Sequence, residues 1–263
     1  MSSSSTPSNR GVLIVSVEQP GKPGDELAKC VIGDVPEWGR DCLDELVSTL
    51  LSRESPFPCT FAVAAAKKNS LRFGFVDDLD DEAAWKPLIR ILATYLSEYQ
   101  QLSRDTSLAV FFPPDKEIRS LEEYNAKFWS VLQYLHDNDP GRWPAELPAH
   151  PEHPMWEFAF GDTEIFVVCN TPAHGTRHSR FASGFLITFQ PRWVFEGLEP
   201  GSARGTAARR VIRKRLRAFD GMEPSRYLGD YGDEQNREWR QYFLPDTNDT
   251  EMPACPFHNT KVD

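Results

Sequence analysis

Residues 155–169 read Met-Trp-Glu-Phe-Ala-Phe-Gly-Asp-Thr-Glu-Ile-Phe-Val-Val-Cys. Both halves of this stretch are rich in apolar residues, and the Gly161-Asp162 pair between them is typical of a tight hairpin turn. The stretch therefore predicts two neighbouring strands, Met155–Phe160 and Glu164–Cys169. A third strand is predicted downstream over Gly184–Phe189.

Helices and strands alternate upstream of this hairpin. Apolar residues at helical spacing predict helices around residues 43–51 and 85–99, and Ser120 with Glu123 forms a capping box that opens another helix. Alternating apolar residues predict a strand over residues 71–76, and a continuous apolar run predicts a buried strand over residues 107–112. The segment 59–66 fits either a strand or a short helix. Residues 138–154 carry five prolines and predict a loop. A last helix is predicted over 206–219.

This order of elements predicts an α+β (mixed α/β) fold in a single domain. We expect a central mixed or antiparallel sheet flanked by helices over residues 25–263. Residues 1–24 are rich in serine, proline and glycine and lack the apolar core of a signal peptide, so they are predicted to form a flexible tail.

Composition excludes several classes of protein. The 263 residues include 29 Lys and Arg against 39 Asp and Glu, a net charge of −10, which argues against a general nucleic-acid or anionic-membrane binder. No run approaches the roughly 18 apolar residues of a transmembrane helix. Five widely spaced cysteines form neither a disulfide framework nor a Cys-x-x-Cys zinc motif. A cytoplasmic protein is therefore expected.

Polar residues with metal-binding chemistry follow the second strand of the hairpin. His174, Arg177, His178 and Arg180 lie within seven residues. A neutral imidazole is a good metal ligand, and guanidinium groups suit carboxylates. An iron porphyrin requires this combination, so haem is a candidate ligand. The same residues are also typical of a polar loop that leaves a strand.

Two other groups of residues leave alternatives open. A non-haem metal site could be built from four histidines and a carboxylate: His150, His153, His174 and His178 with Glu152 or Asp162. Seven cations and no acid lie between Arg204 and Arg217 on the last helix. They fit a solvated helix face, an RNA patch, or arginines such as Arg209, Arg213 and Arg217 turned inward toward carboxylates.

Cys59 and Cys255 both lie in proline-rich turns. A cysteine thiolate can ligate haem iron, although an inert buried cysteine is the more common case. The sequence contains no nucleophile elbow, phosphate-binding glycine loop or dinucleotide-binding fingerprint.

Seven separated blocks between residue 55 and the C-terminus resemble, in order, the YqcI/YcgG family. The blocks are Pro56-Phe-Pro-Cys59, Trp156-Glu-Phe-Ala-Phe-Gly161, Asn170 to Arg180, Phe189-Gln-Pro-Arg192, Tyr227-Leu-Gly-Asp-Tyr-Gly232, Glu238-Trp-Arg-Gln-Tyr-Phe-Leu-Pro245 and Cys255-Pro-Phe257. The resemblance implies a haem-dependent N-oxygenase that uses haem b (iron protoporphyrin IX), O2 and an external electron donor. It also implies a small-molecule substrate, arginine or an arginine-derived amino acid, whose guanidine or amine nitrogen is hydroxylated.

The resemblance also implies roles for particular residues. His174 would ligate the iron, with His178 in reserve. Five further residues would hold the propionates or wall the porphyrin: Arg177, Ser179, Arg180, Trp156 and Phe158. A guanidinium substrate would need a carboxylate, for which Glu157 and Asp162 are the first candidates and Glu164 and Asp220 the others. Arg213 could bind a propionate or the carboxylate of the substrate.

Two alternatives to the oxygenase remain at this point. A haem-binding or gas-sensing protein would bind the same cofactor without turnover, and a non-haem metalloenzyme would use the histidines directly. The sequence leaves assembly into a homodimer open.

Overall fold

A five-stranded sheet organises the chain. The computed structural model describes residues 30–199 and 201–262, so the predicted tail over residues 1–24 lies outside the described residues. The strands are β1 (Leu71–Phe75), β2 (Ser107–Phe111), β3 (Phe158–Phe160), β4 (Thr163–Asn170) and β5 (Leu186–Pro191). Their order in the sheet is β1-β2-β5-β4-β3, with β1 and β2 parallel and the other pairs antiparallel. The predicted mixed sheet is confirmed.

The hairpin between β3 and β4 turns at Gly161 and Asp162, as predicted. Both residues have a φ of 56°, the conformation that a two-residue type I′ hairpin turn requires. The first strand is shorter than predicted and begins only at Phe158. Trp156 explains this difference, because its backbone N–H donates to the carbonyl of His153 and closes a last turn of the proline-rich loop.

Five α-helices in the described ranges complete the fold. They are α1 (Gly39–Leu51), α2 (Thr60–Lys67), α3 (Lys86–Leu102), α4 (Leu121–Asp137) and α5 (Ala203–Asp220). The predicted capping box at the start of α4 is formed, with reciprocal hydrogen bonds between Ser120 and Glu123. The ambiguous segment after the Pro-Phe-Pro turn is a helix, α2, with Cys59 as its N-cap residue.

The two faces of the sheet have different surroundings. On one face, α3 and α4 pack on the larger core, which includes Ile165, Val167 and Cys169 of β4. On the opposite face, α1 and α2 pack on β1 and β2 through a second cluster that includes Leu43 and Phe73. On this second face, residues of β4 and β5 line a cavity whose other side is formed by α5.

All five cysteines lie in the described part of the chain, and none of them forms a disulfide bond there. Within the same two ranges, no helix combines the length and the apolar character that crossing a membrane would need.

Candidate functional site

A cavity of about 710 Å³ separates helix α5 from the second face of the sheet. Strand β4 shows how the sequence builds its floor, because the side chains of a strand alternate between the two faces. Phe166, Val168 and Asn170 line the cavity, whereas the intervening residues belong to the core on the other face. The volume lies in the range of about 300–1,000 Å³ that is usual for small-molecule and cofactor sites.

Helix α5 forms the roof of the cavity. Its apolar stripe lines the cavity and is only half-buried, because empty space rather than protein faces it: Ala208, Ile212, Leu216 and Phe219. The two buried residues of α5 lie at its ends. Near the N-terminal end, a Cβ on Gly205 would lie 2.4 Å from the carbonyl oxygen of Leu198, so the close approach requires glycine.

The C-terminal end of α5 is held by a carboxylate. Asp220 accepts hydrogen bonds from the backbone N–H and the hydroxyl of Ser179, at 2.7 and 2.8 Å. The helix is therefore anchored at both ends, and its middle spans the cavity.

Three side chains in the cavity wall carry a thiol or an imidazole, which are good donors for iron: Cys42, Cys59 and His178. Cys42 is buried in the second core cluster. Cys59 is the N-cap of α2, and its Sγ accepts the backbone N–H of Ala62 at 3.5 Å. Burial raises the pKa of the Cys59 thiol, and the positive charge of Arg180 opposes that rise. His178 also lines the cavity but is exposed, and no described residue forms a hydrogen bond with its ring.

Arg180 places a positive charge in the same wall. Its guanidinium donates to two backbone carbonyls, those of Gln241 at 2.9 Å and Tyr242 at 3.3 Å. No carboxylate in the described ranges forms a salt bridge with it, and burial lowers its pKa to about 10. A cation held this way can bind an anionic group of a ligand, because its charge is not already neutralised.

A second charged group of the cavity, an ion-pair network around Arg192, has an excess of negative charge. Arg192 donates both Nε and Nη2 to Glu157, and its Nη2 also donates to Glu238 at 3.0 Å. Arg192 and Glu238 line the cavity, and Glu157 lies fully buried behind them. The ring of Tyr231 packs 3.6 Å from the guanidinium carbon of Arg192. Two buried carboxylates therefore share one cation.

The charge excess of this network affects protonation. Burial raises the pKa of Glu157, Arg192 opposes the rise, and the neighbouring Glu238 adds to it. The network as a whole favours an additional positive charge, either a proton or a cationic ligand.

His174, the predicted iron ligand, lies elsewhere. It is fully buried outside the cavity wall, and both ring nitrogens have partners: Thr171 Oγ1 and the carbonyl of Leu244, each at 2.9 Å. A carbonyl only accepts, so Nε2 carries the proton and Nδ1 accepts from the threonine. Burial lowers the pKa of His174 to about 4. Both ring nitrogens of His174 are therefore already hydrogen-bonded, and neither is left for a metal.

The other predicted cofactor residues divide into two groups. Arg177, Ser179 and Arg213 do line the cavity, together with Arg180. Arg177 is hydrogen-bonded to the segment 245–248, because its Nε donates to the carbonyl of Pro245 and its Nη2 to the side-chain oxygen of Asn248.

The second group lies outside the cavity. Trp156 and Phe158 were expected to wall a porphyrin, but both belong to the core on the other face of the sheet. Asp162, expected as a catalytic carboxylate, lies exposed in the hairpin turn, where it accepts the backbone N–H of Arg142 at 3.1 Å. Neither Glu164 nor Asp220 is among the described residues of the wall.

The alternative site of four histidines is not assembled. Among the described residues, no three or more His, Cys, Asp or Glu side chains lie close enough together to hold a metal ion. His150 and His153 instead stabilise the proline-rich loop, because their Nδ1 atoms accept the backbone N–H groups of Glu152 and Met155.

No role was predicted from the sequence for Arg192, Tyr231 and Glu238. All three lie in blocks that carried the family resemblance, which was the only indication that could have identified them. Their joint position became clear only from the fold, because Arg192 lies 46 residues before Glu238 in the sequence.

Comparison with known proteins agrees with the resemblance. The family model described as the YqcI/YcgG family matches residues 46–258. The chain is 39% identical to YcgG of Bacillus subtilis (strain 168) over 235 residues, 87% of this chain and 91% of that protein. It is 36% identical to YqcI of the same organism over 230 residues, 86% and 90% of the two chains.

A third relative carries a functional name. The chain is 32% identical over 254 residues, 92% of this chain and 93% of the relative, to the "Putative N(omega)-hydroxy-L-arginine synthase DcsA" of Streptomyces lavendulae. No solved structure matches the chain significantly. The match to the family model and these three relatives show that the chain belongs to the YqcI/YcgG family.

Proposed function

We propose that this protein is a haem-dependent N-oxygenase that hydroxylates a guanidine or amine nitrogen of arginine or an arginine-derived amino acid. The observation that carries the proposal is the cavity between the sheet and α5. Its apolar walls contain thiols, an imidazole, the cation Arg180, which no described carboxylate pairs with, and the network of two carboxylates around Arg192. The name of the relative from Streptomyces lavendulae supports the same reaction.

The cavity fits a porphyrin in its chemistry. Apolar side chains from the sheet and from α5 face each other across it, which suits the two faces of a planar macrocycle. Arg180 and Arg213 would bind the propionates. Haem, when bound, supplies the activation of O2, with electrons from an external donor.

Cys59 is the preferred iron ligand among the donors in the wall. It is fixed at the start of α2, and the N–H of Ala62 and the charge of Arg180 both favour its thiolate form. A metal deprotonates a coordinating thiol, so the raised pKa of the free thiol does not oppose binding. His178 is the second choice because it is exposed and its ring is not held by other residues.

The network of Glu157, Arg192 and Glu238 supports a cationic substrate. The network has one more negative than positive charge, and Glu238 is its carboxylate at the cavity wall, where a substrate guanidinium could bind. Glu238 Oε1 pairs with Arg192, and its Oε2 accepts from Asn236 and Gln241. Glu157 then holds Arg192 in place from behind, a supporting role that replaces the contact with substrate expected from the sequence.

Titration of the purified protein with hemin tests the cofactor. Wild type is expected to bind hemin saturably and to develop a Soret band. Ile212→Glu places a charge in the apolar roof and should abolish binding, whereas Val211→Glu, on the exposed side of the same helix, should not. Equal binding by both variants would contradict the proposed location.

Incubation of the haem-loaded protein with L-arginine, O2 and a reductant tests the reaction. Mass spectrometry should detect a product that has gained one oxygen atom, and Glu238→Gln should lower its yield. A coloured protein that forms no such product from arginine or related guanidines and amines would indicate binding without turnover.

A further inference from the structure

A second pocket, of about 380 Å³, lies apart from the iron-ligand candidates and is lined mainly by polar residues. Three arginines contribute to its wall: Arg226, Arg237 and Arg240. None of them has a role in the cavity described above. This concentration of positive charge contrasts with the net charge of −10 of the whole chain.

Arg240 is the unusual member of this group. Its Nε is inaccessible to solvent and has no hydrogen-bond partner. Among the described residues, its guanidinium forms neither a hydrogen bond nor an ion pair, and it contacts only aromatic rings, with its central carbon 5.2 Å from the ring of Trp239 and 5.9 Å from that of Tyr227. A half-buried guanidinium without an acceptor is costly unless a ligand supplies one.

The other two arginines are only weakly neutralised. The buried Nε of Arg237 lies 3.3 Å from a carboxylate oxygen of Glu152 but forms no hydrogen bond, and its Nη1 donates to the backbone carbonyls of Glu234 and Asn236. Arg226 meets Glu251 at 3.4 Å, but the side chain of Glu251 is 86% exposed. Pairs of this kind contribute little, so the pocket retains a positive charge.

We propose that this pocket binds the phosphate group of a small anionic ligand. A guanidinium presents its N–H donors in a planar fork that matches phosphate oxygens, and three guanidinium groups supply both the charge and the unused donors. Tyr227 packs against Arg226 and Arg240 and so holds two of the three in position. The pocket is large enough to hold more of a phosphorylated molecule than the phosphate alone.

The pocket and the large cavity are both lined by residues of one segment, 226–240. Leu228, Tyr231 and Glu238 lie in sequence between Arg226 and Arg240, and all three line that cavity. A ligand that joins Arg226 to Arg240 would therefore restrain part of the cavity wall.

Isothermal titration of the full chain with inorganic phosphate and pyrophosphate, at constant ionic strength, tests this proposal. We expect saturable binding that sodium chloride does not reproduce. Arg240→Gln should weaken binding by about ten-fold or more, which corresponds to the loss of one charge-assisted hydrogen bond. Arg210→Gln, which removes an exposed arginine on α5, is the matched control and should bind as wild type does.

A second variant and a second ligand complete this test. If Arg240→Gln does not fold, Arg226→Gln, at an exposed side chain, provides the same comparison. Tighter binding of a phosphate ester such as glycerol phosphate than of phosphate would identify the ligand as a phosphorylated small molecule rather than the free anion. No saturable binding of any of these probes, or equal weakening by Arg210→Gln, would overturn the proposal. The titration involves no haem, so its result is independent of the proposed oxygenase.

Discussion

Replacing Arg192 by methionine would leave the carboxylates of Glu157 and Glu238 without their shared cation. Both carboxylates are at least 95% buried, and the guanidinium that pairs with them is 22% exposed. Removing one partner of a buried ion pair costs about 3–5 kcal/mol of stability, because it leaves an uncompensated buried charge. For a chain of this size, that loss corresponds to a decrease in Tm of about 6–20 °C.

The size of this loss should depend on pH. Burial already raises the pKa of Glu157 in the folded protein above its unfolded value, and removing Arg192 raises it further because Arg192 lowers it. Below the pKa that it has in the unfolded chain, such a carboxyl is protonated in both the folded and the unfolded state. In that pH range it does not lower the free energy of unfolding. The loss then grows as pH rises through the folded pKa, so Arg192→Met should be destabilised less at pH ~5 than at pH ~8.

Thermal and urea unfolding at both pH values measure the effect. Glu157→Gln is the control, because it removes one carboxylate, keeps an acceptor oxygen and leaves Arg192 paired with Glu238. It should lose much less stability and show a weaker pH dependence. A small loss in Arg192→Met, or the same loss at both pH values, would refute the description of this network as two buried carboxylates that share one cation.

Two further changes test other parts of the structure. Gly205→Ala would bring a Cβ within 2.4 Å of the Leu198 carbonyl oxygen and should cost about 1–3 kcal/mol in urea unfolding through overpacking. It should also weaken hemin binding by displacing α5, and unchanged values of both would contradict the anchoring of the helix. His174→Ala should lower the free energy of unfolding by at least about 1–3 kcal/mol, since the buried partners Thr171 and Leu244 lose their hydrogen bonds. A stability equal to that of wild type would exclude the structural role of His174.

Local sequence predicted the elements of the fold well, because their causes are local. The turn at Gly161 and Asp162, the capping box at Ser120 and the alternation in β1 depend on residues close in sequence. The segment after Cys59 stayed ambiguous because eight residues are too few for periodicity to separate a buried strand from a helix.

The site was harder to predict, because its position depends on how elements pack. β4 is apolar on both faces, which predicts burial on both sides but does not reveal that one side faces a cavity. The apolar stripe of α5 likewise predicts an inward face and not the space beneath it.

Residue chemistry alone also did not reveal the surroundings of His174 in the 170–180 stretch. His174 is a suitable metal ligand by type, but the carbonyl of Leu244, 70 residues away in sequence, occupies its Nε2. The network around Arg192 could not be predicted either, since its carboxylates come from positions 157 and 238.

We propose that this cavity binds haem and that Cys59 ligates the iron. The most direct test is the absorption spectrum of the hemin-loaded protein in its ferrous carbonyl form, compared between wild type and Cys59→Ser. Serine is also a good N-cap, so this variant should retain α2. We predict the red-shifted Soret band of thiolate ligation in wild type and its loss in Cys59→Ser. The absence of a Soret band in wild type, or an identical band in both proteins, would contradict the claim.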